Sequence, residues 1–328
     1  ICMNYVVVDF EWNQNPYGRS NDNPKLPFEI IEIGAVMLDE DLNEIDRFSE
    51  TIRPKVYKRL HYMTRELTGI TQEELQRSEP FPYVLMDFMY WCGDEFTFCT
   101  WGNTDMLELQ RNMHYYHLDD LLEGPVTYYN IQKMFRTLHE DHEGGSSLES
   151  AVEYFGIEKD AGFHRAISDA IYTARVFKKL DFDKAVKLFS VDYYQNPKCK
   201  EDEIHLLYDD HYKFISREFN SKEEMMSDRE VKAAKCFLCG KPVRKKLHWF
   251  VGKTRNYYCL AQCPTHGYIR GKIRVKKTED DKVYAVKTLR LVDEETAVSL
   301  RRMKLEVIAK RKERRHKSSG SAADITEE

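Results

Sequence analysis

The sequence predicts an α/β fold with a mixed β-sheet flanked by helices, followed by a small module that contains paired cysteines. Short β-branched runs alternate with helical segments through the first half of the chain. Four of the eight cysteines fall close together, between residues 236 and 263. The length of 328 residues is enough for an α/β core and a second unit, because single domains usually contain about 100–200 residues.

Three strands are predicted near the start of the chain. Residues 5–9 (YVVVD) form a β-branched run that ends in an acid, which is typical of a buried strand. Residues 13–27 are rich in Asn and Pro and predict a loop. Residues 29–38 and 47–53 predict two further strands joined by a polar turn. Three strands in succession, followed by helices, indicate a mixed sheet.

One more strand and three helices complete the first half of the chain. Residues 95–101 (EFTFCTW) predict the strand, and a helix follows with Asn103 or Thr104 as its N-cap. A second helix is predicted after Ser147, and a third spans residues 167–180, where apolar residues recur at helical spacing.

The predicted organisation has four segments. Residues 1–185 form the α/β domain, and residues 186–235, rich in Tyr, Asp, Glu and Lys, form a helical connector. Residues 236–290 form the cysteine module with short strands. Residues 291–328 form a basic helix with Asp293 as its cap, followed by a tail that is expected to be disordered because it has few apolar residues.

Composition and charge limit the classes to which this protein can belong. The chain is 42% hydrophobic and 32% charged, which is typical of a globular protein, and no apolar run reaches the roughly 18 residues that span a bilayer. We therefore expect no membrane partner. Residues 1–235 carry 27 basic and 44 acidic residues, whereas residues 236–328 carry 23 basic and 11 acidic. This asymmetry favours an anionic partner for the C-terminal part. Cysteine usage favours a reduced, cytoplasmic setting over a secreted disulfide framework.

Four acids carry the candidate chemistry. Asp9 and Glu11 are two residues apart at the end of a strand, so their side chains point to the same side. Two carboxylates on one face repel each other unless a cation lies between them, and hard oxygen ligands suit Mg²⁺ or Mn²⁺. Asp105 follows another strand at a helix start, and Asp169 lies five residues after His164. Each of these two acids alone has an ordinary explanation, as a helix-start acid or a solvated helix residue.

The motifs VVVDFEW, CTWGNTD and FHRAISD, which contain these acids, resemble those of the DEDD exonuclease superfamily in its DEDDh branch. The resemblance covers about residues 4–180, and the last motif has the His-x₄-Asp spacing of the branch. EIIEIGAV, TIRP and LTGIT stand where the family has similar segments. The form PFEIIE looks most like the subgroup of RNA-trimming exonucleases. The resemblance implies an RNase H-like fold and a metal-dependent 3′→5′ exonuclease that releases nucleoside 5′-monophosphates from RNA or single-stranded nucleic acid.

The resemblance also implies a role for each residue. Asp9 would bridge two Mg²⁺ or Mn²⁺ ions, Glu11 and Asp169 would support one ion, and Asp105 would act on the other. His164 matches the general base of the family, and an unperturbed imidazole can accept a proton near neutral pH. Four apolar residues are expected to cover the terminal nucleotide, although each could simply belong to the core: Phe10, Trp12, Met63 and Leu67.

The cysteine pairs predict a structural Zn²⁺ site. Cys236 and Cys239 are followed by Cys259 and Cys263, and four thiolates in two close pairs suit tetrahedral zinc. The pattern resembles a zinc ribbon or zinc knuckle. The three-residue gap in the second pair is less common, so His266 could replace one thiol. The other interpretations are a redox Cys-x-x-Cys and simple buried thiols.

The cysteine module also predicts a nucleic-acid-binding surface. Residues 240–277 contain eleven basic residues and no acidic one, with aromatic residues between them. Basic charge attracts phosphates, and aromatic rings offer stacking platforms for bases. We therefore expect this module to hold the 3′-terminal strand that the acidic half hydrolyses. The alternatives are a protein partner or a solvated surface for this module. For the whole chain they are a non-catalytic nucleic-acid-binding adaptor and a proofreading DNA exonuclease.

Overall fold

The structure is a computed structural model that describes residues 3–140, 144–252, 254–278 and 280–320. The chain divides into two compact units, Ile1–Gln195 and Asn196–Glu328. Each unit is built around its own β-sheet.

The first unit contains a seven-stranded mixed sheet in the order β4-β3-β2-β1-β5-β6-β7. β1 pairs antiparallel with β2 and parallel with β5, so it lies at the centre of the sheet. The strands are β1 (Asn4–Asn13), β2 (Glu29–Leu38), β3 (Glu44–Arg53), β4 (Glu79–Pro80), β5 (Phe96–Thr100), β6 (Val126–Asn130) and β7 (Ser190–Asp192).

The described part of the first unit has eight helices that flank this sheet, and single 3₁₀ turns lie at Arg19–Asn21, Asp119–Leu121 and Val186–Leu188. They are α1 (Tyr62–Thr68), α2 (Gln72–Arg77), α3 (Phe81–Cys92), α4 (Thr104–Tyr115), α5 (Ile131–Leu138), α6 (Leu148–Tyr154), α7 (Ala166–Lys179) and α8 (Phe182–Ala185). The predicted caps are confirmed in part. Asn103 precedes α4 without a side-chain cap bond, whereas Ser147 accepts a hydrogen bond from the backbone of Ser150.

The alternation of β1 divides its side chains between two cores. Val6, Val8 and Phe10 pack on the face covered by α3 and α4, whereas Tyr5 and Val7 pack on the face covered by α5, α6 and α7. Asp9 and Glu11 follow Tyr5 and Val7 in this alternation, so they face the side on which α7 lies.

Helix α7 packs very closely on β2. A Cβ atom at Gly34 would lie 2.0 Å from the backbone nitrogen of Ile167 and 2.1 Å from the carbonyl carbon of Ala166. Gly34 is the antiparallel partner of Asp9, so the helix meets the sheet beside the first of the candidate acids. Only glycine allows the two backbones to approach to this distance.

The second unit contains a six-stranded antiparallel sheet in the order β10-β11-β12-β13-β9-β8. Its strands are β8 (Ile204–Leu207), β9 (His211–Ile215), β10 (Arg244–Val251), β11 (Tyr257–Cys263), β12 (Gly267–Lys277) and β13 (Val283–Val292). Its helices are α9 (Lys222–Ser227), α10 (Arg229–Lys232) and α11 (Glu294–Gly320).

The prediction of a helical connector over residues 186–235 is wrong. β7 adds an edge strand to the first sheet, and β8 and β9 belong to the second sheet. α9 and α10 contain only six and four residues. β9 pairs with β13, about 70 residues later in the chain, and such a distant partner is invisible in a local sequence pattern.

The long C-terminal helix is confirmed. The Asp293 side chain accepts a hydrogen bond from the backbone of Thr296 at 2.8 Å, as a cap does. The helix continues to Gly320, and residues 321–328 of the tail that was expected to be disordered lie outside the described residues. No helix in the described part of the chain combines the length and the apolarity that crossing a membrane requires.

The contact at Gly34 leads to a prediction about stability. Gly34→Ala places a methyl group on the backbone of α7, and we expect it to lower the free energy of unfolding by about 3 kcal/mol, the upper part of the usual range for overpacking. Chemical denaturation monitored by circular dichroism measures this change.

Gly162→Ala is the matched control, because a Cβ atom at Gly162 meets nothing within 4 Å. It should leave the free energy of unfolding within about 0.5 kcal/mol of the parent, as for an ordinary surface substitution. Equal stability of the two variants would contradict the close packing of α7 on β2.

Candidate active site and cysteine cluster

Three of the predicted acids meet near the C-terminal end of β1, the central strand of the first sheet. Each of Asp9, Glu11 and Asp169 offers a carboxylate oxygen, and these oxygens all lie within 4.8 Å of one another. Asp9 and Glu11 project from β1, and Asp169 lies in the first turn of α7. One carboxylate oxygen of Asp169, Oδ1, is buried and has no hydrogen-bond partner among the described residues.

Burial and mutual repulsion perturb these carboxyls. Burial, together with the charges of Asp105 and Asp169, raises the pKa of Asp9 well above its ordinary value. Burial, followed by the charges of Asp169 and Glu32, raises the pKa of Glu11 to about 8. Burial raises the pKa of Asp169 to about 6, although the backbone N–H of His164 acts in the opposite direction. These raised pKa values indicate that the negative charge of the site is not balanced by positive groups around it.

Asp105 lies beside this group of three. It is buried in the first turn of α4, and its carboxylate accepts hydrogen bonds from its own backbone N–H and from that of Phe10. Burial raises its pKa to about 7, and the two backbone bonds oppose the rise. Asp105 also contributes to the raised pKa of Asp9, so the fourth predicted acid belongs to the same electrostatic site.

Glu32 and Arg165 support the site and were not identified as site residues from the sequence. The Glu32 carboxylate is fully buried on β2, opposite Glu11. It accepts two hydrogen bonds from the Arg165 guanidinium, at 2.9 and 2.6 Å, and one from the backbone N–H of Ala166, at 3.0 Å. This arrangement ties the N-terminus of α7 to the sheet and thereby positions Asp169. The sequence offers only a weak signal for Glu32, a charged residue within the apolar run of β2, two residues before Gly34.

His164 lies at the rim of the site. Its side chain is exposed, and its backbone has a φ of 67°, a left-handed conformation that few residues other than glycine and asparagine adopt readily. Its N–H points to the Asp169 carboxylate at 3.4 Å. The imidazole is thus exposed to solvent near the acids.

The four residues that were predicted to contact the nucleotide differ in their exposure. Phe10 is buried in the core on the face opposite Asp9, so its predicted contact with a nucleotide is wrong for the side chain. Trp12 is half-buried and lies against Phe28, with ring centroids 6.0 Å apart. Met63 and Leu67 are exposed on one face of α1, and their contact with substrate remains a prediction.

A second cluster of possible metal ligands lies in the second unit. Cys236, Cys239, Cys263 and His266 each offer one ligand atom, all within 4.8 Å of one another. The Cys236 Sγ and Cys263 Sγ atoms lie 3.4 and 3.6 Å from His266 Nδ1. The sulfurs of Cys239 and Cys263 are 3.8 Å apart. A tight turn with Gly240 at a φ of 69° closes the first pair.

Cys259 is not a member of this cluster, which corrects the predicted set of four cysteines. Cys259 lies in the middle of β11, whereas Cys263 lies at its end, beside the turn that contains His266. Four residues of a strand span about 13 Å, too far for two ligands of one ion. The Cys259 sulfur instead lies beside Gly271, its partner on β12, and burial raises the pKa of its thiol to about 12.

His266 takes the fourth position, the alternative left open by the sequence. The equal spacing of Cys236-x₂-Cys239 and Cys263-x₂-His266 was the signal that favours it. Burial alone would raise the pKa of Cys263, but hydrogen bonds from the backbone of His266 and Thr265 outweigh it and lower that pKa to about 6. A thiol with this pKa is largely thiolate at neutral pH, and the thiolate is the form that binds metals.

Comparison with known proteins places the first unit in a family. Residues 6–177 match the RNase T family model, which is described as "Exonuclease". The probable 3′–5′ exonuclease KapD of Bacillus subtilis is 28% identical over 188 residues, which are 55% of this chain and 85% of that protein. The mouse 3′–5′ exoribonuclease 1 is 27% identical, over 52% of this chain and 50% of its own length.

Among solved structures, the nuclease domain of 3′hExo, a DEDDh family member bound to rAMP, matches with a TM-score of 0.49 and 23% identity. The match covers 58% of this chain and 96% of that domain. The family model covers more than half of the chain and spans the three candidate motifs. The chain therefore belongs to the RNase T exonuclease family.

Proposed function

We propose that this protein hydrolyses RNA from its 3′ end and releases nucleoside 5′-monophosphates, with Mg²⁺ or Mn²⁺ bound by Asp9, Glu11, Asp105 and Asp169. The observation that carries this proposal is the meeting of three carboxylates within 4.8 Å, one with a buried oxygen that lacks a partner. A group of acids this close is stable only with protons or cations between them.

The residues fit divalent cations. The donors are carboxylate oxygens, which hard cations prefer, and the unpartnered Oδ1 of Asp169 supplies a ligand atom that nothing else in the described structure uses. Asp9 is central, because its pKa is raised by each of the other three acids. Two bound cations would supply charge stabilisation for the attacking and leaving oxygens of the phosphodiester.

The protein groups around the acids supply position and proton transfer. The exposed imidazole of His164 accepts the proton of the attacking water. The contact of Glu32 with Arg165 and Ala166 holds the N-terminal turn of α7, so Asp169 stays beside Asp9 without a flexible hinge between them. Trp12 and the exposed apolar pair Met63 and Leu67 offer contact surfaces for the terminal nucleotide.

The preference for RNA is supported by the relatives. The mouse relative is named as an exoribonuclease, and this chain spans half of its length. The identity of 27% makes the substrate a proposal, which parallel assays on RNA and DNA oligonucleotides test directly. Relatives that are DNA polymerases of the PolC type make DNA the alternative. A cytoplasmic location remains a prediction.

We also assign the cysteine cluster to one structural Zn²⁺. Zinc–sulfur bonds of about 2.3 Å in a tetrahedron place two sulfurs about 3.8 Å apart. The distance between the sulfurs of Cys239 and Cys263 is 3.8 Å, and the two sulfur–imidazole distances of 3.4 and 3.6 Å are close to the slightly shorter edge that a nitrogen ligand gives. All four positions are filled by protein, as in structural rather than catalytic zinc sites.

Asp9→Asn tests the acidic site. The change keeps the shape of the side chain but removes one charge and its ability to bind two cations. The variant should lose several kcal/mol of transition-state stabilisation. The rate of 3′-nucleotide release from a 5′-labelled RNA should therefore fall by about 10³-fold or more. Asp87→Asn, at an exposed acid on α3, is the control and should retain full activity. A fully active Asp9→Asn enzyme would refute the assignment.

His164→Asn tests the base. Asparagine tolerates the left-handed backbone that His164 adopts, so the variant removes the imidazole with little strain. We expect the rate to fall by about 10²–10⁴-fold. Added imidazole should restore part of the activity. A variant that keeps the parent rate would show that another group accepts the proton.

Paired substitutions on β11 test the zinc assignment. Cys263→Ala removes a ligand and should abolish zinc binding, whereas Cys259→Ala should retain one zinc per chain. Zinc content is measured by elemental analysis of the purified protein, and the folding of the second unit by limited proteolysis. Loss of zinc from Cys259→Ala, or retention in Cys263→Ala, would restore the four-cysteine set.

A further inference from the structure

We infer that one face of β12 is a binding track for the sugar–phosphate backbone of a single-stranded nucleic acid. Four cations alternate along this strand, at Arg270, Lys272, Arg274 and Lys276. This inference rests on the proposed function, because it describes how the same substrate is held by a second surface of the chain.

The alternation places the four cations on one face. The residues between the cations are Gly271, Ile273 and Val275, and they face the core of the unit. Ile273 packs there with Met225 of α9 and Val231 of α10. The opposite face of the sheet carries the cations. Successive cations are two strand residues apart, about 6.6 Å, so the row is about 20 Å long.

The row is not neutralised by neighbouring acids. None of the four cations forms an ion pair within the described parts of the chain, whereas Lys277, on the other face, pairs with Asp281 at 3.0 Å. Arg274 and Lys276 are exposed, and Arg270 and Lys272 are half-buried. Four uncompensated like charges in one row repel each other, and a polyanion with regularly spaced charges relieves that repulsion.

Helix α11 borders the row on the same face. Leu260 is the β11 partner of Arg270, and it packs under Ala297 and Leu300 of α11. The cations of this helix that lie nearest the sheet are engaged with aromatic rings. Arg301 lies 5.5 Å from the ring centre of Tyr268, and Lys304 lies 6.0 Å from that of Phe250. In the row on β12, Lys272 also lies over a ring, that of Tyr258. Among the described residues, Arg270, Arg274 and Lys276 have no such ring contact and are available to phosphates.

An aromatic ring beside the row favours a single strand. Tyr258 is the cross-strand partner of Lys272, whose ammonium lies 5.9 Å from its ring centre. The ring packs in part against Leu260 and against α11, and the rest of it is exposed. A base of a single strand can stack on such a ring while its phosphates contact the cations, whereas the bases of a duplex are already stacked on each other. The occupant is thus a single-stranded RNA or DNA segment.

The test is binding by the full chain. Asp9→Asn serves as the background, so that the substrate is not degraded, and fluorescence anisotropy measures the Kd for a labelled single-stranded 12-mer. Arg274→Glu/Lys276→Glu reverses two charges of the row. Lys222→Glu/Arg229→Glu reverses two exposed charges on α9 and α10, on the other side of the sheet, as the matched control.

We expect the row variant to raise the Kd about tenfold or more and the control to leave it within about twofold. The slope of log affinity against log salt should become shallower by about 1.4, which corresponds to two lost phosphate contacts on a single strand. Equal Kd values and slopes for the row variant and its parent would overturn the inference. So would a 12-mer duplex that binds as tightly as the single strand, or polyglutamate that competes as well as RNA.

A second readout separates this inference from the proposed function. With Asp9 intact, the row variant should hydrolyse a dinucleotide at the parent rate, because the substitutions leave the carboxylates of the first unit unchanged, while its KM for the 12-mer rises. Absence of hydrolysis in the parent protein would refute the proposed function but leave the binding comparison valid. A lower rate on the dinucleotide would show damage to the catalytic unit and contradict a role confined to the second unit.

Discussion

The contact between α7 and β2 determines the geometry of the active site. Gly34 allows the backbone of Ile167 to approach to a distance that no other residue permits. Glu32, two residues earlier on the same face, binds Arg165 and the first N–H of the helix. Because Gly34 also pairs with Asp9 in the sheet, this one contact brings Asp169 beside Asp9. Residues 160 positions apart in the sequence thereby form one site.

The resulting crowding has an electrostatic consequence. Several carboxyls have pKa values raised by burial and by each other, which means that the folded protein without cations is stabilised by protons. A carboxyl whose folded-state pKa exceeds its unfolded value contributes stability at low pH that is lost as the pH rises through the folded pKa. Cations that bind the ionised carboxylates reverse this loss. The crowded acids therefore lower the stability of the folded protein, and the same acids provide the cation ligands for catalysis. A bound cation restores the lost stability.

Much of this could be predicted from the sequence, and the failures have physical reasons. The residue pattern predicted β1 and β2 correctly. The same strand alternation implies that the Phe10 side chain faces away from Asp9, although the two residues are neighbours in the sequence, so Phe10 should not have been placed at the site. The error at Cys259 arose because cysteine spacing was considered without the rise of a strand, which separates Cys259 from Cys263 by about 13 Å. The strand β9 was mistaken for part of a helical connector because its pairing partner β13 lies far along the chain. The strand β8 joins the same sheet only through β9. Glu32 was hidden because a buried carboxylate is identified by its partners, which only the fold brings together.

Thermal unfolding of the first unit, with and without Mg²⁺, tests the central claim most directly. The cation-free protein should unfold at a lower temperature at pH 8 than at pH 6, because the pKa values of Glu11 and Asp105 are raised to about 8 and 7. Mg²⁺ should stabilise it more at pH 8 than at pH 6. Asp9→Asn should raise the melting temperature of the cation-free protein by about 2–4 °C, the shift that about 1 kcal/mol produces in a unit of this size, and should remove the response to Mg²⁺. A cation-free Asp9→Asn variant less stable than the parent at pH 8, or a parent that does not respond to Mg²⁺, would contradict the account.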